Sequence, residues 1–90
     1  MNTRLAALLY EGALALQQGN KERARELLLQ VVEIDERNEQ AWLWLSGAVD
    51  DPEDQRTALE NVLAINPQNP HALYGLAVLD GKAWPPPFWA

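Results

Sequence analysis

Four carboxylates crowd the stretch DDPED, where Asp50, Asp51, Glu53 and Asp54 could offer oxygens to a calcium or magnesium ion. A calcium-binding loop places its oxygens at alternating positions around a glycine that makes the sharp turn. DDPED has neither the alternation nor the glycine. A helix start accounts for the same residues: Asp51 caps, Pro52 occupies the first turn where a missing N–H costs nothing, and Glu53 and Asp54 sit where the helix dipole favours negative charge. His71, the single histidine, follows Pro70 at a helix start without a second ligand or a carboxylate at a useful spacing, and is expected to be exposed or to rim a groove. The hydroxyls of Thr3, Ser46 and Thr57 lack a nearby base. Glu11 interrupts an apolar helix and is expected to reach solvent or Arg4. With no cysteine in the chain, thiolate nucleophiles and thiolate metal sites are excluded. The expectation is therefore a non-enzymatic protein with no catalytic, cofactor-binding or metal residues.

Charge narrows the partners. Thirteen acidic and seven basic residues give a formal net charge of −6 over 90 residues. Binding to nucleic acid or anionic lipid draws on clustered Lys and Arg that displace counterions, and here the basic residues are scattered. Neither nucleic acid nor membrane is expected as a partner, nor is a small-molecule substrate. The N-terminal apolar stretch is broken by Glu11 and falls short of the roughly 20 residues that span a bilayer, so it reads as a first helix, with the cytoplasm as the expected compartment.

The chain repeats itself. Laying VVEIDERNEQAWLWL over VLAINPQNPHALYGL pairs Val31 with Val62, Ile34 with Ile65, Asp35 with Asn66, Asn38 with Asn69, Ala41 with Ala72 and Leu45 with Leu76, always 31 positions apart. Within each unit the apolar residues recur with a helical period. Ala24, Leu27, Leu28, Val31 and Ile34 form one stripe, and Ala58, Leu59, Val62 and Leu63 form another. Gly19 can adopt the left-handed conformation that ends a helix, and Asn20, Asn38, Asp51 and Asn69 are placed to cap the helices that follow. These signals predict five helices, over 3 to 18, 21 to 34, 39 to 49, 52 to 65 and 70 to 80, with no strand. Turns this short make successive antiparallel hairpins.

At this level the chain resembles a tetratricopeptide-repeat (TPR) protein. Trp42, Leu45, Ser46 and Val49 match that family's first-helix pattern, and Leu8, Gly12 and Ala15 form a weaker set with Glu11 at an apolar position. Ala24, Leu28 and the exit through Ile34-Asp35 resemble its second helix, and AINPQN carries the family's proline where the first unit has Glu36. Two departures stand out: the second unit is three residues short between its helices, and Gln55 replaces a small residue. The resemblance covers residues 3 to 80, about two and a half units. It implies an all-α fold in which antiparallel hairpins stack as a short right-handed superhelix.

The resemblance also implies a concave face, built from the first helix of each hairpin, that binds extended peptides. Trp42 and Trp44 lie about 200° apart in projection, so both cannot enter one side. With Trp42 inside its own hairpin, Trp44 points to the neighbouring unit or the rim of that face. Gln40, Leu43, Gly47 and Asp50 then face the groove, with Ala6, Leu9, Ala13 and Leu16 from the first unit and His71, Tyr74 and Val78 from the third. No Lys, Arg or Asn is present to clamp a carboxylate, and Asp50 would repel an acidic tail. The expected site residues are Leu9, Ala13, Leu16, Leu43, Trp44, Gly47, Tyr74 and Val78, and the expected ligand is an apolar or aromatic peptide.

The domain reading is a repeat region over 1 to 80 followed by a proline and aromatic tail over 81 to 90. PHALYGLAVL is apolar all round and should be covered on more than one side. The tail, with Trp84, Phe88 and Trp89 around Pro85, Pro86 and Pro87, is expected to supply that cover. It would do so on its own last helix or in the groove of a second copy, the latter making a homodimer. A purely structural role in self-association is thus the rival to peptide binding.

Overall fold

The computed structural model describes residues 3–81. Five helices follow one another: α1 (Thr3–Gln17), α2 (Lys21–Ile34), α3 (Glu39–Ala48), α4 (Pro52–Ile65) and α5 (Pro70–Leu79). There is no strand among the described residues. The fold is all-α, as the periodicity requires, and three helices end one residue earlier than expected. At Val49 the reason is local: the backbone is already extended there so that Asp51 can cap α4 ahead of Pro52.

Each boundary is built from its own residues. Gly19 has a φ of +81°, and its N–H reaches the Leu16 carbonyl while that of Asn20 reaches Ala15, the paired bonds of a Schellman turn. The four expected caps all form. Asn20, Asn38, Asp51 and Asn69 accept from the backbone N–H groups of Arg23, Ala41, Glu53 and Ala72 at 3.2, 2.9, 2.9 and 3.0 Å. The short α3–α4 connection is closed by Gln55, whose side-chain amide donates to the Val49 carbonyl at 2.9 Å. A small residue at position 55 could not reach that carbonyl.

Long-range bonds fix the directions. Lys21 at the start of α2 pairs with Asp50 just past α3, Glu39 at the start of α3 receives the amides that follow α4, and Arg56 near the start of α4 pairs with Asp80 just past α5. Sequential helices are therefore antiparallel. α1 also touches α3, and Gly47 near the end of one faces Leu16 near the end of the other, so these two run parallel.

The core is uneven. A large cluster joins Leu8, Ala15, Leu27, Leu28, Val31, Leu45 and smaller residues of α1 to α4, Ala58 of α4 among them, whereas the second buried cluster holds Leu59, Val62 and Ala72. Gly12 allows α1 and α2 to approach closely: a Cβ there would lie 2.8 Å from Leu28, which is fully buried. Toward α5 the burial thins out. Ala72 is the buried residue of that helix, and Leu73 and Val78 stand 49% and 50% exposed.

Candidate functional site

The residues that first suggested chemistry are engaged in structure. Asp51 caps α4, and Glu53 and Asp54 are exposed in its first turn. The Ser46 hydroxyl donates to the Leu43 carbonyl and the Thr57 hydroxyl to that of Glu53, both within their own helices. Glu11 and His71 are exposed. Among the described residues no group of three or more His, Asp or Glu is arranged to hold a metal ion, and no helix is long and apolar enough to cross a membrane.

Asp50 differs from its expected role. Instead of presenting free negative charge to the groove, it lies 2.8 Å from the Lys21 ammonium. That hydrogen bond and charge hold its carboxyl below the usual aspartate value. Repulsion of an acidic ligand at this edge is correspondingly weakened.

Both tryptophans of α3 pack against the larger cluster. Trp44 is half-buried against the first cluster. Trp42 is also half-buried: it packs against both clusters, the smaller of them including Leu59 and Val62 of α4 in its own hairpin, and its indole N–H donates to the Glu36 carbonyl at 2.9 Å. The turn before α3 thus provides the acceptor for the polar edge of the half-buried ring.

The remaining expected contacts occupy positions on α1, α3 and α5. Leu9 and Leu16 are half-buried against the first cluster and Leu43 against the second, Ala13 and Tyr74 are half-buried, and Gly47 and Val78 are exposed. They recur at i, i+4 and i, i+7 within their helices, and Gly47 brings α3 close to Leu16 of α1. Trp84, Phe88 and Trp89 lie outside the described residues.

Two features escaped the sequence reading. The first is an apolar cleft of about 240 Å³ between α2 and α4, with Trp42 and Leu45 beneath and Arg25, Leu29, Asp54 and Thr57 around it. It does not include the expected contact residues, and its volume falls below the roughly 300–1,000 Å³ of small-molecule sites.

The second is Glu39. One of its carboxylate oxygens accepts from the side-chain amides of both Asn69 and Asn66, tying the α4–α5 turn to the start of α3. These bonds, that of Asn69 foremost, hold the Glu39 carboxyl below the ordinary glutamate value. A group with a lowered folded pKa stabilises above its unfolded value, near 4.3, and that contribution is lost as the pH falls through the folded one. Glu39→Gln should therefore lower the urea midpoint at pH 7, and the difference from the parent chain should shrink on acidification toward pH ~3. Asn69→Ala, which also removes the α5 cap, should cost about 1–2 kcal/mol at neutral pH by urea denaturation.

The sequence matches no model of a known protein family, and searches of curated proteins and of solved structures found no match either.

Proposed function

We propose that this chain is a non-enzymatic, TPR-like protein-interaction module that binds an extended apolar or aromatic peptide segment across α1, α3 and α5. The observation that carries the reading is a set of apolar side chains at matching positions on alternate helices, none completely buried. Leu9, Ala13, Leu16, Leu43 and Tyr74 are half-buried, and Val78 is half-exposed. No Lys or Arg lies among them. An apolar surface without cations selects against acidic termini and in favour of Leu, Phe, Tyr or Trp side chains, with half-buried Trp44 as an aromatic neighbour.

Side chains already half-buried by the core are held in place before a ligand arrives, so binding loses little rotamer entropy. Val78→Glu should reduce affinity for Leu- and Phe-containing synthetic decapeptides by roughly tenfold or more, since an unpaired carboxylate buried at the contact costs well over 1.4 kcal/mol. Tryptophan fluorescence titration measures this, and equal affinities for parent and variant would remove the face from consideration.

A second reading, structural self-association, draws on one specific observation: Leu73 and Val78 both remain about half exposed on the last helix. In that reading a second copy covers α5 and no other partner is required. A sedimentation mass above that of one 10.1 kDa chain would favour it.

A further inference from the structure

We infer that the cleft between α2 and α4 is a second interaction site, which takes one aromatic side chain of a partner helix flanked by an acidic residue on one side and a basic residue on the other. Its position follows from the way the hairpins stack. α1 and α3 touch, with Gly47 facing Leu16, whereas α2 and α4 leave an opening of about 240 Å³ between them. Trp42 lies beneath that opening, and its ring stays half-buried there.

Size and lining select one ring. An apolar cavity of roughly 150 Å³ holds a benzene molecule, and drug-sized ligands need roughly 300 Å³ or more. The cleft lies between these limits. Its floor reaches the core at Leu45 and Ala58, both buried, and an inserted ring meets the Trp42 indole. Leu29 forms part of the α2 wall and is 44% exposed. The other exposed positions from Glu22 to Glu33 carry Glu or Arg, so Leu29 is an apolar side chain left in water on an otherwise charged face. A docked ring removes it from water together with the exposed part of Trp42.

Charge selects what flanks the ring. Arg25 on the α2 wall and Asp54 on the α4 wall are exposed, and the nearby salt bridges, Lys21 with Asp50 and Arg56 with Asp80, use neither. Lys21 holds Asp50 directly, with Arg25 only a weaker influence on that carboxyl. α2 and α4 run in the same direction, since each is antiparallel to α3, and Arg25 and Asp54 both belong to the first half of their helices. The opposite charges therefore stand on opposite walls near one end of the cleft. On a helix, residues three or four apart share a face, so an acid one turn from the ring and a base one turn beyond it reach both walls at once. A segment with two like charges meets repulsion at one wall.

The test titrates the full chain with three synthetic helical peptides built around a central Phe. One carries Glu one turn before the Phe and Lys one turn after it, one carries Gln at both places and one Lys at both. Binding is read from the amide signals of Leu29 and Thr57 and from the Trp42 indole N–H. The Glu/Lys peptide should bind about threefold to tenfold more tightly than the Gln/Gln peptide, and the Lys/Lys peptide should also fall below it. Replacing its Phe by Ala should weaken binding about tenfold or more. Arg25→Glu, a change at an exposed position, should invert the order so that the Lys/Lys peptide binds best. Equal affinities for the three peptides, no shift of these signals at roughly millimolar peptide, or an order that Arg25→Glu leaves unchanged would overturn the proposal. The peptide series is read on the unaltered chain, so it decides the matter even where the variant folds poorly. Peptide binding across α1, α3 and α5 is read separately on Leu43 and Val78, so either idea can fail without the other.

Discussion

Leu28→Ala is expected to lower the unfolding free energy by about 2–5 kcal/mol, measured by urea denaturation followed by circular dichroism. Leu28 is fully buried where α1 and α2 cross, and its side chain fills the space that Gly12 leaves by having no Cβ. Truncation removes the transfer free energy of the leucine methyls and leaves a void that Gly12 cannot fill from the other side. A domain of this size has a total stability of roughly 5–13 kcal/mol, so the variant should approach the folding threshold at 37 °C. Val31, also fully buried and one turn away, should behave in the same way with a smaller loss. A Leu28→Ala loss below about 1 kcal/mol would mean that the α1–α2 crossing is not packed as described.

Trp42→Ala is expected to cost about 2–3 kcal/mol, less than the 3–5 of a fully buried tryptophan because the ring is half-exposed. Its larger effect should be on cooperativity. Trp42 is packed against both the larger cluster, which reaches α4 at Ala58, and the smaller one of Leu59, Val62 and Ala72. The smaller cluster has few buried side chains of its own, and removing the ring cuts a side-chain link between it and the larger one. Amide hydrogen exchange should then show Val62 and Ala72 opening at lower free energy than Leu28 and Val31, where in the parent chain they open closer together. A uniform loss of protection across both clusters would show that backbone continuity through α4, and not the indole, joins them.

How far this fold could be read from its sequence depends on the range of each interaction. Helix ends were legible because their chemistry is local: Asn20, Asn38, Asp51 and Asn69 each bond a backbone N–H two or three residues on. The close crossing at Gly12 and Leu28 is not local in this sense, since the two residues lie on different helices and meet only once α1 and α2 pack. Glu39 was not legible, because its partners lie 27 and 30 residues away and nothing near it in sequence marks the meeting. Asp50 was misjudged for the same reason, since Lys21 is 29 residues distant. The pattern gives the side on which Trp42 lies but not how deep, because it carries no measure of the gap between α2 and α4 that leaves the ring half-buried. The cleft there arises from that gap, and no single stretch of sequence encodes it.

The site residues show the same division. Helical spacing alone brings Leu9, Ala13 and Leu16 to one side of α1 and Tyr74 and Val78 to one side of α5. The contact between Gly47 and the Leu16 side of α1 depends on the crossing of two helices that are not sequential, which the repeat implied but the residues alone did not.

The central claim is that a partner peptide lies across α1, α3 and α5. Amide chemical-shift mapping of the full chain, titrated with Leu- and Phe-containing decapeptides and with Asp-substituted controls, tests it most directly. The account predicts shifts concentrated at Leu9, Ala13, Leu16, Leu43, Gly47, Tyr74 and Val78, saturating with the apolar peptides and absent with the acidic ones. Shifts centred instead on Arg25, Leu29 and Thr57, around the opposite cleft, or no shifts with any apolar peptide, would contradict it.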